Sequence, residues 1–294
     1  MRITQSMMSN SMLRNLSNSY SDLNKYSEQL SSGKKITKPS DDPVVATKGM
    51  SYRTEVRDVE QYKRNLSEAQ SWIDNSDSAL GNATSALQRI RELAVQASNG
   101  TYEEGQRENI AEEVDQLKEQ LATIANTQVN GKYIFNGTNT DTAPVTINND
   151  GSAAVNINSN PVNLALSKGV DVKVNVDADA VFGEKLFNDL ENFSAALRSD
   201  AADEDLDGYI GTVDENIDSL INERADLGAR MNRMDLVSSR LDDQELSATE
   251  LMSNNEDAEM EEVIMNMVSQ EAVHRAAMSA GARIIQPTLM DFLR

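Results

Sequence analysis

Leu16, Leu23 and Leu30 recur every seven residues, with Leu13 and Tyr20 in the interleaved position. Near the other end, Met260, Val263, Ile264, Met267 and Val268 begin a second apolar stripe. It runs on through Ala277, Ile284 and Ile285, and Leu289 and Phe292 complete the apolar set beyond it. A stripe at heptad spacing exposes its apolar face unless a partner helix covers it. The middle of the chain has seams enough to satisfy itself. The two ends are therefore expected to pair with each other, or with the ends of neighbouring copies, as one terminal coiled coil.

The middle is helical in two blocks. Tyr52, Val59, Leu66, Ile73, Leu80, Leu87 and Ala94 keep strict seven-residue spacing, and Tyr62, Ala69, Ala83, Ile90 and Ala97 fill the complementary position. This predicts one helix over about 45–98, longer than an ordinary globular helix and stopped by Asn99-Gly100. A third helix is expected over about 103–128, with Asn130-Gly131 closing it. Further helices are expected near 184–198, over about 205–252, and from the break at Asn254-Asn255 to Gln286-Pro287.

Between the blocks the pattern changes to period two. Lys132 to Gly137 reads as a strand ending in a turn, and Val155–Asn158 and Val170–Val176 alternate apolar and polar. Asn149-Asp150-Gly151 is a hairpin signal. The organisation is a helical body with a small β insert. For the insert's ends to meet, the flanking helices must lie side by side. The expected divisions are a terminal domain from 1–40 and 253–294, a rod from 41–135 and 184–252, and an inserted β domain at 136–183.

Composition narrows the chemistry. The chain has no Cys, which removes disulfides, thiolate metal sites and Cys nucleophiles. Aromatic residues are 4% and Trp occurs once, which argues against a large compact core. The single His, His274, has no ligand or base partner close in sequence and is expected to be structural or exposed. Neither a G-x-x-x-x-G-K-[ST] nor a G-x-G-x-x-G string is present, so no nucleotide cradle is expected. No cofactor and no enzymatic activity are predicted.

One acidic segment resembles the opening of a calcium loop. Asp203, Asp205 and Asp207 hold its first, third and fifth positions, with Gly208 next. Its twelfth position is Asp214 where a bidentate Glu is usual, so the acidic start of a helix is the preferred reading.

Charge is unevenly spread. The net charge of −21 divides into +3 over residues 1–72 and −16 over 199–262. Without a dense basic stripe, nucleic-acid binding is disfavoured. No stretch approaches the ~20 apolar residues of a membrane span, and no apolar signal segment follows Arg2. A route out of the cell, if there is one, is not expected to use a cleaved signal.

At this point specific strings carry a resemblance. Leu30-Ser31-Ser32-Gly33-Lys34-Lys35-Ile36 and Gln88–Ala97 followed by Asn99-Gly100-Thr101 resemble bacterial flagellins. Glu223–Arg233 resembles their C-terminal rod helix, and Gln286–Leu293 their C-terminal tail. The string Lys38-Pro39-Ser40-Asp41-Asp42-Pro43 and the segment Asn130–Gly137 look like the family's hook–filament junction subunits rather than its filament subunits. Filament flagellin stays the alternative.

The resemblance implies a mainly α fold: an elongated flagellin-like helical rod built from the N- and C-terminal halves, with a small β domain inserted in the middle. It implies a non-enzymatic structural subunit, exported unfolded by the flagellar type III apparatus to the extracellular flagellum. Implied partners are the first flagellar hook-associated protein, flagellin, further copies in a ring or layer, and a cytoplasmic export chaperone. Gly33, Pro39, Asp41, Asp42 and Pro43 would form a stiff link between terminal helices and rod. Arg89, Arg91, Glu92, Arg230 and Arg233 would lie on a flagellin-like rod surface.

Overall fold

The computed structural model describes residues 5–98, 104–148, 151–199 and 203–285. Its elements in order are α1 (Gln5–Ser32), α2 (Pro43–Ala97), α3 (Glu104–Ala125), β1 (Gln128–Val129), β2 (Lys132–Tyr133), β3 (Val145–Ile147), β4 (Ala153–Val155), β5 (Asn163–Ser167), β6 (Val170–Lys173), α4 (Ala178–Phe182), α5 (Glu184–Arg198), α6 (Asp203–Glu256) and α7 (Met260–Ile285). The chain divides into two compact units. One is formed by the residues up to Asp58 and from Gln244 on, the other by Val59–Asp243.

In the second unit the heptads of α2 do what their spacing requires. Val59, Leu66, Ile73, Leu80, Leu87 and Ala94 are all buried, as are Ala69, Ala83, Ile90 and Ala97. The interleaved position at Ser76 is also fully buried, and its hydroxyl donates to the Trp72 carbonyl at 2.9 Å. That back-bond satisfies the buried hydroxyl inside the stripe. On α6, Leu206, Val213, Leu220, Leu227, Met234 and Leu241 form the matching seven-residue series. Arg224 interrupts its interleaved series and pairs with Asp77 at 2.9 Å.

The low aromatic content does not prevent a core. Four of the five phenylalanines are fully buried, and Phe135 meets Phe182 edge-on with centroids 5.0 Å apart. They lie where the β insert joins the helices. Aromatic rings cover much apolar area each, so a few suffice at one junction.

Among the described residues, three two-stranded antiparallel hairpins lie between α3 and α4: β1–β2, just ahead of the insert, and β3–β4 and β5–β6 within it. Buried amides stand in for a longer ladder. Asn136 donates to the Thr142 carbonyl and accepts from the Asn158 N–H, and Asn175 accepts from the Val162 N–H and donates to the Asn160 carbonyl. Asn126 binds both backbone groups of Val145, tying the end of α3 to β3.

Four sequence expectations are revised. Asn130-Gly131 does not close α3, which ends at Ala125; it forms the tip of β1–β2 with φ of 53° and 77°. A two-residue hairpin turn with both central residues at positive φ has the same Asn-Gly preference as a helix stop. The strand expected at Lys132–Asn136 is only Lys132–Tyr133, because Ile134, Phe135 and Asn136 turn inward and are buried. Asn254-Asn255 does not break α6, which runs to Glu256. The alternation at Val155–Asn158 is a strand only up to Val155. The expected helix stop at Asn99-Gly100 and the Asn149-Asp150 pair lie outside the described residues.

Candidate functional site

The terminal unit is the candidate site. Its helices α1 and α7 pair antiparallel: Lys34 meets Asp257, Ser19 meets Gln270, and Met12 meets Gly281. The covered stripe of α1 is Ser9, Met12, Leu16, Ser19, Leu23, Tyr26 and Leu30. That of α7 is Val263, Met267, Gln270, His274, Ala277 and Gly281. A Cβ at Gly281 would stand 3.0 Å from the Met12 methyl, so the absence of a side chain there allows the close approach.

The structure splits the residues expected in this coiled coil. Leu16, Leu23, Leu30, Val263, Met267 and Ala277 lie in the seam. Leu13 and Tyr20 do not: they are 57% and 68% exposed. Met260, Ile264 and Val268 are exposed as well. One neighbouring helix covers only one stripe, and the 3–4 spacing around Leu16 fits either Leu13/Tyr20 or Met12/Ser19. Apolarity alone points to the first pair, while the packing uses the second. His274 is half-buried in the seam, with Nδ1 out of contact with solvent and without a hydrogen bond, and its ring centroid is 6.3 Å from that of Tyr20. Ile284 and Ile285 are the last helical positions of α7, while Leu289 and Phe292 lie outside the described residues.

The link is built from short-range hydrogen bonds. Gly33, at φ 68°, ends α1 and donates its N–H to the Gln29 carbonyl at 2.8 Å. Only a residue without Cβ takes this left-handed position without cost. Pro39 lies in the turn closed by the Asp41 N–H on the Lys38 carbonyl, and Pro43 is the first residue of α2. The Asp41 carboxylate accepts the N–H groups of Lys38 and Thr37, which hold its pKa below the usual carboxylate range. Asp42 caps α2, accepting from Val44 and Val45 at 2.9 and 3.1 Å.

The sequence reading missed a clamp facing this link. Lys35 N–H donates to the Glu256 carbonyl and Ala258 N–H to the Gly33 carbonyl, forming a bridge between the two chain segments. The Glu256 carboxylate is 4% exposed as a residue, yet Arg53 reaches it at 2.6 Å and Lys34 at 3.6 Å. This pairing raises the pKa of Arg53. Lys34 also binds Asp257 at 2.6 Å, which together with the Ser253 hydroxyl lowers the pKa of Asp257. Gly49 sits against the carboxylate, and a Cβ there would overlap Glu256 Oε1. An isolated Gly inside a helical heptad was the one available signal.

The rod-surface residues lie in the second unit. Arg89 binds Glu113 and Glu92, and Arg91 binds Asp214 at 2.5 Å, so both are cross-links between helices. Arg230 donates to the Asn175 carbonyl at 2.8 Å and pairs with Asp226, holding the base of the insert on α6. Arg233 is exposed. The calcium-loop geometry is not formed. From Asp203 through Asp207 and Gly208 to Asp214 the backbone is helical, where such a loop needs a sharp non-helical turn at its sixth position. The side chains of Asp203 and Asp205 lie outside the described residues. Among the described residues no group of three His, Cys, Asp or Glu could hold a metal, and no helix is long and apolar enough to cross a membrane.

A helical terminal unit made from both chain ends, with a Gly- and Pro-containing link between α1 and α2, and a second helical unit with a β insert together define a class. Residues 3–140 match the bacterial flagellin N-terminal helical region, and residues 210–293 match the C-terminal helical region. The chain belongs to the bacterial flagellin family. It is 27% identical to the flagellar hook-associated protein 3 of Escherichia coli K12, over 95% of this chain and 96% of that protein. It is 30% identical to the flagellin of Bacillus subtilis 168 over the full length of both. In fold it is similar to the crystal structure of flagellar hook-associated protein 3 from Legionella pneumophila, with a TM-score of 0.64 and 16% identity. That match covers 70% of this chain and 98% of the other.

Proposed function

We propose that this chain is a structural subunit that joins hook to filament in the bacterial flagellum. Its first 40 residues and residues from 253 on would be the assembling inner domain, and the insert at 136–183 the outer one. The observation that carries the reading is where apolar surface remains uncovered. Among the described residues, Leu13 and Tyr20 on α1, Val44 and Met50 at the start of α2, Leu246 and Leu251 at the end of α6, and a run on α7 are exposed large apolar side chains of the terminal unit. Among the described residues of the second unit only Val95, Ile221 and Leu236 are comparably exposed. Apolar patches of this kind mark surfaces that other chains cover.

The neighbours would be the first hook-associated protein on one side, flagellin on the other, and further copies within one layer. A cytoplasmic chaperone would shield α7 before export, and the exported subunit would reside outside the cell. The full-length match to a flagellin keeps one second reading, a self-elongating filament subunit. Assembly on isolated hooks that already carry the first junction protein separates the two. A layer that stops by itself and then supports flagellin growth is the expected result. Unlimited growth of this chain alone would make it a filament subunit, and failure to add at all would overturn the junction reading.

A further inference from the structure

The α1 side of the seam with α7 is periodic enough to be ambiguous. Leu16, Leu23 and Leu30 occupy equivalent positions one heptad apart, so sliding the helices by seven residues replaces leucine with leucine. Apolar contacts of this kind stabilise pairing without choosing a register. Besides the close Met12–Gly281 contact and the Lys34–Asp257 bridge at its two ends, one layer in its middle breaks the equivalence. Ser19 is buried in the middle of the stripe, and Gln270 Nε2 lies 3.4 Å from its hydroxyl and 3.3 Å from Asp22 Oδ2.

We propose that the polar layer of Ser19, Asp22 and Gln270 fixes the register of α1 on α7. A slip of seven residues puts Met12 or Tyr26 opposite Gln270 where Ser19 now stands, and puts Ala277 or Val263 against the Ser19 hydroxyl. Either slip removes the amide's present acceptors from a half-buried position, and Tyr26 also overfills a space made for serine. A single polar pair at a seam position is the best-attested way for a helix pair to trade stability for register. Register in turn decides which exposed apolar residues of the two helices lie level with one another. That consequence for assembly rests on the function proposed above, whereas the register itself is a property of the single chain.

Because the chain has no Cys, an introduced pair reports one disulfide unambiguously. Leu16 and Ala277 line the same groove, so L16C/A277C reads the observed register. L23C/A277C and L23C/V263C read slips of one heptad in either direction. Each pair is oxidised in dilute full-length chain, and only intramolecular products are scored. With the polar layer intact, L16C/A277C should close and the other two should not. With Ser19→Leu and Gln270→Leu added, the ratio of slipped to observed disulfide should rise about ten-fold, the equilibrium equivalent of one unsatisfied buried polar group.

Gln270→Ala, which only shortens a side chain on an Ala-rich helix, is the second variant. It guards against loss of pairing in the leucine form and should raise the same ratio to a smaller degree. If the slipped pairs stay open in both variants while L16C/A277C still closes, the layer does not set the register. Closure of a slipped pair with the layer intact would overturn the proposal equally. Failure of junction assembly with an unchanged disulfide pattern would count against the proposed function alone.

Discussion

Exchanging Gly49 for alanine puts a methyl group where the Glu256 carboxylate now lies. In an ordinary helix interior the same exchange stabilises by about 1 kcal/mol, because glycine gives up more backbone freedom on folding. Here the methyl must displace Oε1 from its place beside Arg53 and Lys34. A charge-assisted hydrogen bond contributes about 1.5–3 kcal/mol. Arg53 has a side chain 58% exposed and can rehydrate when released, which selects the lower end, about 1.5–2 kcal/mol. The balance predicts that Gly49→Ala destabilises the terminal unit by about 0.5–1 kcal/mol. In a Glu256→Ala background the obstacle is gone, and the same exchange should stabilise by about 0.5–1 kcal/mol. The sign reversal is the test, and the coupling between the two sites should be about 1–2 kcal/mol. Hydrogen exchange at the Lys35 and Ala258 amides, which form the bridge beside the clamp, reads the stability of this unit in the intact chain. A Gly49→Ala effect of the same sign and size in both backgrounds would refute the packing argument.

Three further outcomes are expected. Asp257 has its pKa lowered in the folded chain, so its contribution is full above the unfolded carboxylate value near 3.9 and is lost as pH falls through the folded value. Terminal-unit stability followed by urea titration should therefore drop below about pH 4, and Asp257→Asn should flatten that limb. Asp42→Ala removes the cap of α2 and should cost about 1 kcal/mol, seen as faster exchange at Val44 and Val45 alone. Gly137→Ala should loosen the insert, since φ is 50° and a Cβ would overlap the Asn158 carbonyl. Proteolytic nicking near Asn158 should increase while the helical signal is kept.

What was legible in the sequence follows from how many residues carry each signal. The α2 stripe repeats over seven heptad positions, so one serine at 76 could not hide it. The seam of α1 is a choice between two stripes of similar spacing, and it was decided by Ser19 and Met12 rather than by the larger Leu13 and Tyr20. Composition cannot show that choice, because it depends on what the partner helix places opposite. The Asn130-Gly131 pair reads as a helix stop and is a hairpin tip, since helix ends and hairpins reward the same backbone freedom. The clamp was hidden for a different reason. Glu256 stands in a run rich in carboxylates, and nothing in a linear charge pattern tells which member is buried against Arg53.

The bridge between Lys34 and Asp257 joins residues 223 positions apart. Closing a flexible loop of that length costs about 5 kcal/mol of chain entropy, before any bond is gained. If the second unit has already formed, its Lys63–Asp242 ion pair at 2.6 Å holds the two strands of chain together. The span left to close is then roughly 40 residues, and the cost falls by about 1.5 kcal/mol. The order of events in refolding is thereby biased: the interior of the chain condenses first, and its two ends meet last.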